Sequence, residues 1–489
     1  MRRLPLLALA AGLLPAALPA QRIAQSEYAA RRDAVLAKIP EGVLVAFGAG
    51  EPAQDYISFW QSSPFMYLTG FDEPDAALVV VKRGGATRVT MFVNPRDPGR
   101  EVWTGARLGV EGTTSLTGIP ARDNAALDAT LDSLAALNVP FYVVGDLGDE
   151  RDPIRTADAQ RVARLTAAHP GLRVQNAAML VAAARGKKSD TELALIRKAV
   201  SITVDAQREA MRAIAPGMNE FEIQSLIEYT FRRQGADRPS FSTIVGSGPN
   251  STTLHYNRDD RFVADGEVIV MDIGASAGGY AADVTRTVPA NGTYSPAQRE
   301  IYRVVRDAQA AAERQAKLGA QAKLMTDSSS AVLAAGLAKL GLIESAAATY
   351  DCGTAATPRS CPQFRLYYMH GIGHGIGLDV HDPDQYYFGG VIAPGSAFTI
   401  EPGIYVRANT ADILPDTPKN RALAAKIRPA VAKYANIGVR IEDDYVATPS
   451  GVEWISRAPR EMDEIEALMK EPYTGPAARD SALVQWRRQ

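Results

Sequence analysis

Three of the chain's five histidines fall in one short run, Tyr368-Met-His370-Gly-Ile-Gly-His374-Gly-Ile-Gly-Leu-Asp-Val-His381-Asp382. A fourth stands in Leu254-His255-Tyr256, and the fifth, His169, precedes Pro170. Imidazole is the commonest metal ligand and the usual proton shuttle near neutral pH. Such crowding points to metal or proton chemistry, with one or two satisfied core histidines as the plainer alternative. Gly371, Gly373, Gly375 and Gly377 alternate through the run. Glycine at that density weakens a helix, so the run is expected to be extended or looped where backbone packs closely.

Carboxylates in apolar settings are the natural counterparts. Residues 267–275 read as an apolar strand interrupted by Asp272, and residues 280–288 as a second strand carrying Asp283. With a two-residue hairpin loop at Ala277–Gly278, the pairing sets 276 against 279, 275 against 280, and Asp272 directly opposite Asp283. Like charges so opposed are destabilising, and a buried pair needs a shared proton or a cation. A solvated surface hairpin is the alternative. The run Val268-Ile-Val-Met271, apolar on both faces, favours burial. Glu401 ends a strand that begins at Ala397, just before Pro402–Gly403, and residues 438–446 place Arg440, Glu442 and Asp444 on one face. Taken singly, Glu401 reads as a strand-end cap and Arg440–Glu442 as a surface salt-bridge ladder.

These residues must be positioned by a chain too long for one core, since cores rarely grow past about 250–300 residues. From residue 24 to 185 helices alternate with strands. The pattern predicts helices over Ser26–Leu36 and Thr156–Ala168, and strands over Gly42–Phe47, Ala76–Lys82, Thr87–Val93 and Tyr142–Val144. That is an α/β domain. A polar break at Ala184–Asp190 precedes a helix capped by Ser189 or Asp190, with Glu192 in its first turn. A second domain is therefore expected over 186–470. A helix is predicted over Glu220–Arg233, then strands and Gly-rich turns from Gly235 to about 447, a last helix over Glu461–Met469, and a polar tail over 471–489. Residues 344–363 and 407–436 look like surface insertions, the second with a short helix around Arg421–Lys433.

Hydrophobic residues make up 46% and charged residues 22% of the chain, with a formal net charge of −2 and no long basic run. Nucleic-acid and anionic-membrane surfaces are therefore not indicated. Arg2 and Arg3 precede an apolar stretch from Leu4 to Leu18 that ends in Leu18-Pro-Ala20. This is the layout of a secretory signal peptide over residues 1–20, cleaved after Ala20. Its apolar part is short for a membrane anchor and is broken by Pro5 and Pro15. A periplasmic or secreted protein without a stable membrane span is expected. In that setting Cys352 and Cys361 would close a local disulfide, two unpaired loop thiols being the alternative.

Together these stretches resemble the aminopeptidase P/prolidase family of pita-bread metallopeptidases. The histidine run fits that family's signature without departure. Around it, in the family's order, stand Leu254-His255-Tyr256, Asp272-Ile-Gly, Tyr280-Ala-Ala-Asp283-Val-Thr-Arg-Thr, Glu401-Pro-Gly-Ile-Tyr405 and Arg440-Ile-Glu442-Asp-Asp. The first half is similar to the family's accessory domain in Phe65-Met-Tyr-Leu-Thr-Gly-Phe71-Asp-Glu-Pro and Glu101-Val-Trp-Thr-Gly. The resemblance implies an α/β N-terminal accessory domain followed by an α+β pita-bread catalytic domain.

It also implies a dinuclear metal centre held by Asp272, Asp283, His374, Glu401 and Glu442. Asp283 and Glu442 would bridge the ions, His374 and Glu401 would bind one, and Asp272 would chelate the other. Four carboxylates and one imidazole form a hard set that suits Mn²⁺, with Co²⁺, Zn²⁺ or Fe²⁺ as alternatives. Two ions sharing a water would ready it as hydroxide to attack a carbonyl. Glu401 would orient or deprotonate that water, and His255, His370 and His381 would hold substrate. Tyr405 and Arg440 would assist by hydrogen bonding and proton transfer. The implied reaction releases the residue preceding a proline, from peptides with proline at the second position. A homo-oligomer, dimer or tetramer, is implied as well. The rivals are an Xaa-Pro dipeptidase, a methionine aminopeptidase, a creatinase-like hydrolase and a non-catalytic binding protein. Methionine aminopeptidases usually lack a full accessory domain, and the last two would be expected to have lost metal ligands.

Overall fold

The computed structural model describes residues 23–148, 156–354 and 356–475. The signal sequence expected over 1–20 and most of the polar tail lie outside these residues. Among the described residues no helix is long and apolar enough to cross a membrane.

The first half is built on a six-stranded mixed sheet. Its strand order is Ala121–Asp123, Ala86–Val93, Ala77–Arg83, Gly42–Phe47, Phe141–Val144, Val174–Asn176. Gly42–Phe47 is buried along its whole length because both faces are covered. Side chains alternate across a strand. Val43, Val45 and Phe47 accordingly pack with Leu127 and Leu131 on one face. Leu44 and Ala46 point the other way, into the large core shared with the second half. The expected α/β character is what is found, with helices Gln25–Leu36 and Ala157–Ala168 close to their predicted bounds.

The second half opens with the 24-residue helix Asp190–Ala213. Ser189 caps it and Glu192 closes a capping box, as the sequence predicts. Gln207, fully buried on this helix, donates to the carbonyls of Met271 and Val284. It thereby fixes the helix to the two strands that lead to the expected aspartates. Every strand pair described in this half is antiparallel. Val284–Pro289, Val268–Ile273 and Ile244–Ser247 form one sheet, and Ala397–Ile400, Asp443–Thr448 and Gly451–Trp454 another. Gly403–Val406 pairs with Ile437–Arg440.

Two expectations need correction. The stretch after Gly235 is not strands and turns alone, because long helices occupy Pro296–Glu313 and Lys323–Lys339. The first starts at Ser295-Pro296 with a capping box to Gln298 and has a clear apolar stripe. Its signals were present in the sequence. The second is rich in Ala and Ser and has almost no stripe to read.

The hairpin register also differs. Its loop is Gly278–Gly279, so Ala277 pairs with Tyr280, Ser276 with Ala281, and Asp272 with Thr285 rather than with Asp283. Both loop residues have positive φ, +60° and +83°. That is what the preferred tight hairpin turn requires, and alanine at 277 would not supply it. A shift of two residues preserves the face. Asp272 and Asp283 thus remain on one side, as diagonal instead of direct neighbours.

The insertions are short local structures. Residues 349–362 form a hairpin, Thr349–Asp351 against Ser360–Pro362, closed by a Cys352–Cys361 disulfide. The helix expected around Arg421–Lys433 runs over Pro418–Tyr434. Its Asn420 exchanges hydrogen bonds with the backbone of Asp351, which ties the two insertions together.

Candidate metal centre

The histidine run lies beside the sheet as an irregular strip rather than a helix. The N–H groups of Ile376, Thr399 and Glu401 bond to the carbonyls of Ala397, His374 and Ile372, which lays the run along Ala397–Ile400. A β-carbon on Gly373 would come within 2.1 Å of the Thr399 carbonyl oxygen, and one on Gly375 within 2.4 Å of that of Asp382. The alternating glycines are there for this close approach.

His374 is the hub of the site. Its Nδ1 lies 3.1 Å from the Gly375 carbonyl oxygen. That oxygen can only accept, so the proton is assigned to Nδ1 and the Nε2 lone pair is left free. Three carboxylates surround Nε2: Asp283 at 3.4 Å, Glu401 at 3.6 Å and Glu442 at 3.9 Å. Donor atoms of Asp283, His374 and Glu442 all lie within 4.8 Å of one another. Asp272, the diagonal neighbour of Asp283, completes the set of expected ligands.

The elements explain the placement. Asp272 sits on Val268–Ile273, and Asp283 just ahead of Val284–Pro289. Glu401 and Glu442 each occupy the break between two strands, where the chain passes from one sheet to the next. All four carboxylates are largely buried. Burial first, then repulsion from Glu442 and other carboxylates, raises Asp283 well above the usual range. Glu401 is raised likewise by burial and Glu442, and Glu442 is pushed up to about 8 by burial and Asp272. Buried oxygens Asp272 Oδ1 and Asp283 Oδ1 have no hydrogen-bond partner in the protein. Unpaired buried carboxylate oxygens are costly. Cations bound at this cluster would give such oxygens a partner, so the residues, Asp283, His374 and Glu442 foremost, fit a divalent metal.

A polar relay leads away from this cluster. Arg440 donates to Asp272 Oδ2 at 2.5 Å and to the Tyr405 hydroxyl at 2.9 Å. The Tyr405 hydroxyl lies 2.8 Å from His370 Nε2, whose Nδ1 is 2.8 Å from the Gly371 carbonyl. By the same assignment Nδ1 carries the proton and Tyr405 donates to Nε2. Burial, then the Arg440 charge, lowers His370 to about 3, so its ring is neutral. His381 is exposed and packs its ring 4.0 Å from that of His374. His255 is exposed nearby and helps depress the His381 pKa, after burial. His169 lies apart, paired with Asp132 in the first half.

Asp444 Oδ2 accepts from the Asp283 N–H, so of the three residues expected on one face it supports a neighbour's backbone. Sequence reasoning missed the residues behind the site. Arg286 and Asp443, both fully buried, pair at 2.6 Å. Arg286 also donates to the Glu442 carbonyl, while Arg460, Gln309 and Ser456 converge on Asp443. Thr285 donates to Glu442 Oε2 at 2.7 Å. The signal was there in outline: Arg286 interrupts an apolar strand, and Asp443 points away from its neighbours in Glu442-Asp-Asp.

Comparison with known proteins agrees with this geometry. A model described as metallopeptidase family M24 matches residues 194–449, and one described as the aminopeptidase P N-terminal domain matches 28–141. The Xaa-Pro aminopeptidase of Haemophilus influenzae is 33% identical over 460 residues, covering 92% of this chain and 98% of its own. That of Escherichia coli is 31% identical over 462 residues, 91% of this chain and 98% of its own. Among solved structures, the Pseudomonas aeruginosa aminopeptidase PepP superposes with a TM-score of 0.76 at 32% identity, covering 92% and 98% of the two chains. Zinc-substituted Escherichia coli aminopeptidase P in complex with product gives 0.76 at 30% identity, with the same coverage.

Proposed function

Because the chain belongs to metallopeptidase family M24, with an aminopeptidase P N-terminal domain ahead of the peptidase, we propose that it is an Xaa-Pro aminopeptidase. It would cleave the bond between an N-terminal residue and a proline at position two. The observation that carries this reading is the convergence of Asp283, Glu401 and Glu442 on the free Nε2 of His374. With Asp272 these would hold two divalent ions, and the hard donor set favours Mn²⁺ over softer metals. When bound, such a pair supplies Lewis-acid polarisation of the scissile carbonyl and an acidified water.

The protein's own groups supply the rest. Glu401 has the most exposed of the three side chains around His374, at 16%. It is placed to take a proton from water and return it to the departing proline nitrogen. That nitrogen belongs to a tertiary amide, has no N–H, and must be protonated to leave. Arg440 holds the Tyr405 hydroxyl towards His370, which fixes that neutral ring beside Glu401 at 3.4 Å. His255 and His381, at the exposed side, are suited to grip the peptide.

The N-terminal layout supports export after cleavage behind Ala20, to the periplasm or beyond. A Cys352–Cys361 disulfide accords with an oxidising compartment. We place the domain boundary near residue 185, and take the assembly to be a dimer or tetramer. An Xaa-Pro dipeptidase is the second reading, since the same metal residues would serve it. The deciding experiment is hydrolysis of Ala-Pro-Ala against Ala-Pro by the Mn²⁺-loaded protein. Tripeptide cleavage is expected, and cleavage of the dipeptide alone would overturn the aminopeptidase assignment.

A further inference from the structure

The segment joining the two halves carries two buried cations that the reaction above does not use. Arg185 ends the helix Ala178–Arg185 and is 5% exposed, and Lys188 follows at 3%. Arg185 Nη2 donates to Asp379 Oδ2 at 2.7 Å and also to Asp382 Oδ1. Lys188 Nζ lies 2.8 Å from Asp382 Oδ2 and donates to the Pro383 carbonyl. From the first half, Ser63 Oγ donates to Asp379 Oδ1 at 2.5 Å. Asp382 is itself tied to the histidine run, its N–H bonding to the Gly375 carbonyl at 2.8 Å.

Asp379 and Asp382 bracket Val380 and His381. Both ends of this turn are therefore held from outside it, Asp379 by Ser63 of the N-terminal half and by Arg185, Asp382 by Arg185 and Lys188 at the junction. The turn follows a glycine-rich strip with little stiffness of its own. Buried charges are retained only when paired and hydrogen-bonded, and here two buried cations meet buried Asp382, with half-exposed Asp379 beside it, within one turn of a substrate-facing histidine. We propose that Arg185 and Lys188, with Ser63, are positioning residues that set His381 beside His374, so that the N-terminal half governs the substrate-gripping side of the site. The inference rests on the aminopeptidase reading for its activity readout.

The test is a double-mutant cycle on the full Mn²⁺-loaded chain with Ala-Pro-Ala. Arg185→Met is expected to lower kcat/KM by about tenfold or more, and Ser63→Ala by about threefold, with partial recovery in Arg185→Lys. In a His381→Ala background Ser63→Ala should have no further effect. Losses that simply multiply would overturn the proposal. Ser63→Ala strands no buried charge, so the cycle decides even where Arg185→Met folds poorly. A second readout needs no activity. In metal-free protein labelled at its five histidines, the His381 ring signal, identified by its loss in His381→Ala, should shift or broaden in Ser63→Ala. An unmoved signal would also overturn it. If wild type fails to cleave any Xaa-Pro peptide, the functional reading falls, and the ring signal still tests the positioning role.

Discussion

Glu442 shows how the site works at the scale of a single residue. It is 2% exposed, faces His374, and is held by Thr285. As a carboxylate among carboxylates it is a liability without a cation and a ligand with one. Glu442→Gln should reduce Ala-Pro-Ala hydrolysis by about three orders of magnitude, since a metal site short of a charged ligand loses its activated water. In chelator the same variant should melt above wild type at pH values above about 8, where Glu442 would otherwise be ionised, because one repelling charge is gone. Calorimetry with and without metal checks both halves. Asp259 makes a different residue-level case. It is fully buried in the left-handed region at φ +47° and accepts from the Val245 N–H. Burial raises its carboxyl from 3.8 to about 7. The folded protein then holds a proton that the unfolded chain releases, so this residue's contribution falls as pH rises from the unfolded value through the folded one. Asp259→Asn, which keeps the acceptor and tolerates the left-handed backbone, should match wild type near pH 4 and melt higher at pH 8.

Among elements, the strands that deliver Asp283 and Glu442 are joined at the back by the Arg286–Asp443 pair. Removing one partner of a fully buried pair costs about 3–5 kcal/mol, whereas replacing both with apolar residues costs much less. Asp443→Ala should therefore lose stability on that scale in denaturant titration, and Arg286→Met with Asp443→Leu should recover only part of it, because Arg460 still loses Asp443 and the Glu442 and Ala458 carbonyls still lose their donor. This pair was hard to read from sequence because its partners are 157 residues apart. Local signals fared better. The capping box at Ser189 and the strand Gly42–Phe47 lie where propensity and pattern place them. The hairpin loop fell on Gly278–Gly279 because turn conformation outranks a simple count of residues. The helix Lys323–Lys339 escaped notice because its faces hardly differ in polarity, so burial by its neighbours, not periodicity, holds it.

For the whole molecule, the carboxylate cluster links metal binding to folding. An ion bound only by the native state adds about 2.7 kcal/mol of stability at a hundred times its Kd. The melting temperature should rise steadily with Mn²⁺, fall in chelator, and respond far less in Glu442→Gln. A melting temperature indifferent to Mn²⁺ would mean that the cluster binds no such ion. The sequence by itself determined which residue types carry the chemistry, and the order in which they occur, because imidazoles and carboxylates in apolar strands are conspicuous one by one. It also determined the α/β half and the start of the second half, because caps and periodicity act over a few residues. Only the tertiary structure decided that Asp272 and Asp283 are diagonal neighbours and that three carboxylates meet at His374 Nε2. It alone set the Arg286–Asp443 clamp and the hold of Arg185 and Lys188 on the His381 turn. These depend on contacts between residues far apart in the chain, and on how much water burial removes. Neither quantity is written in any local stretch.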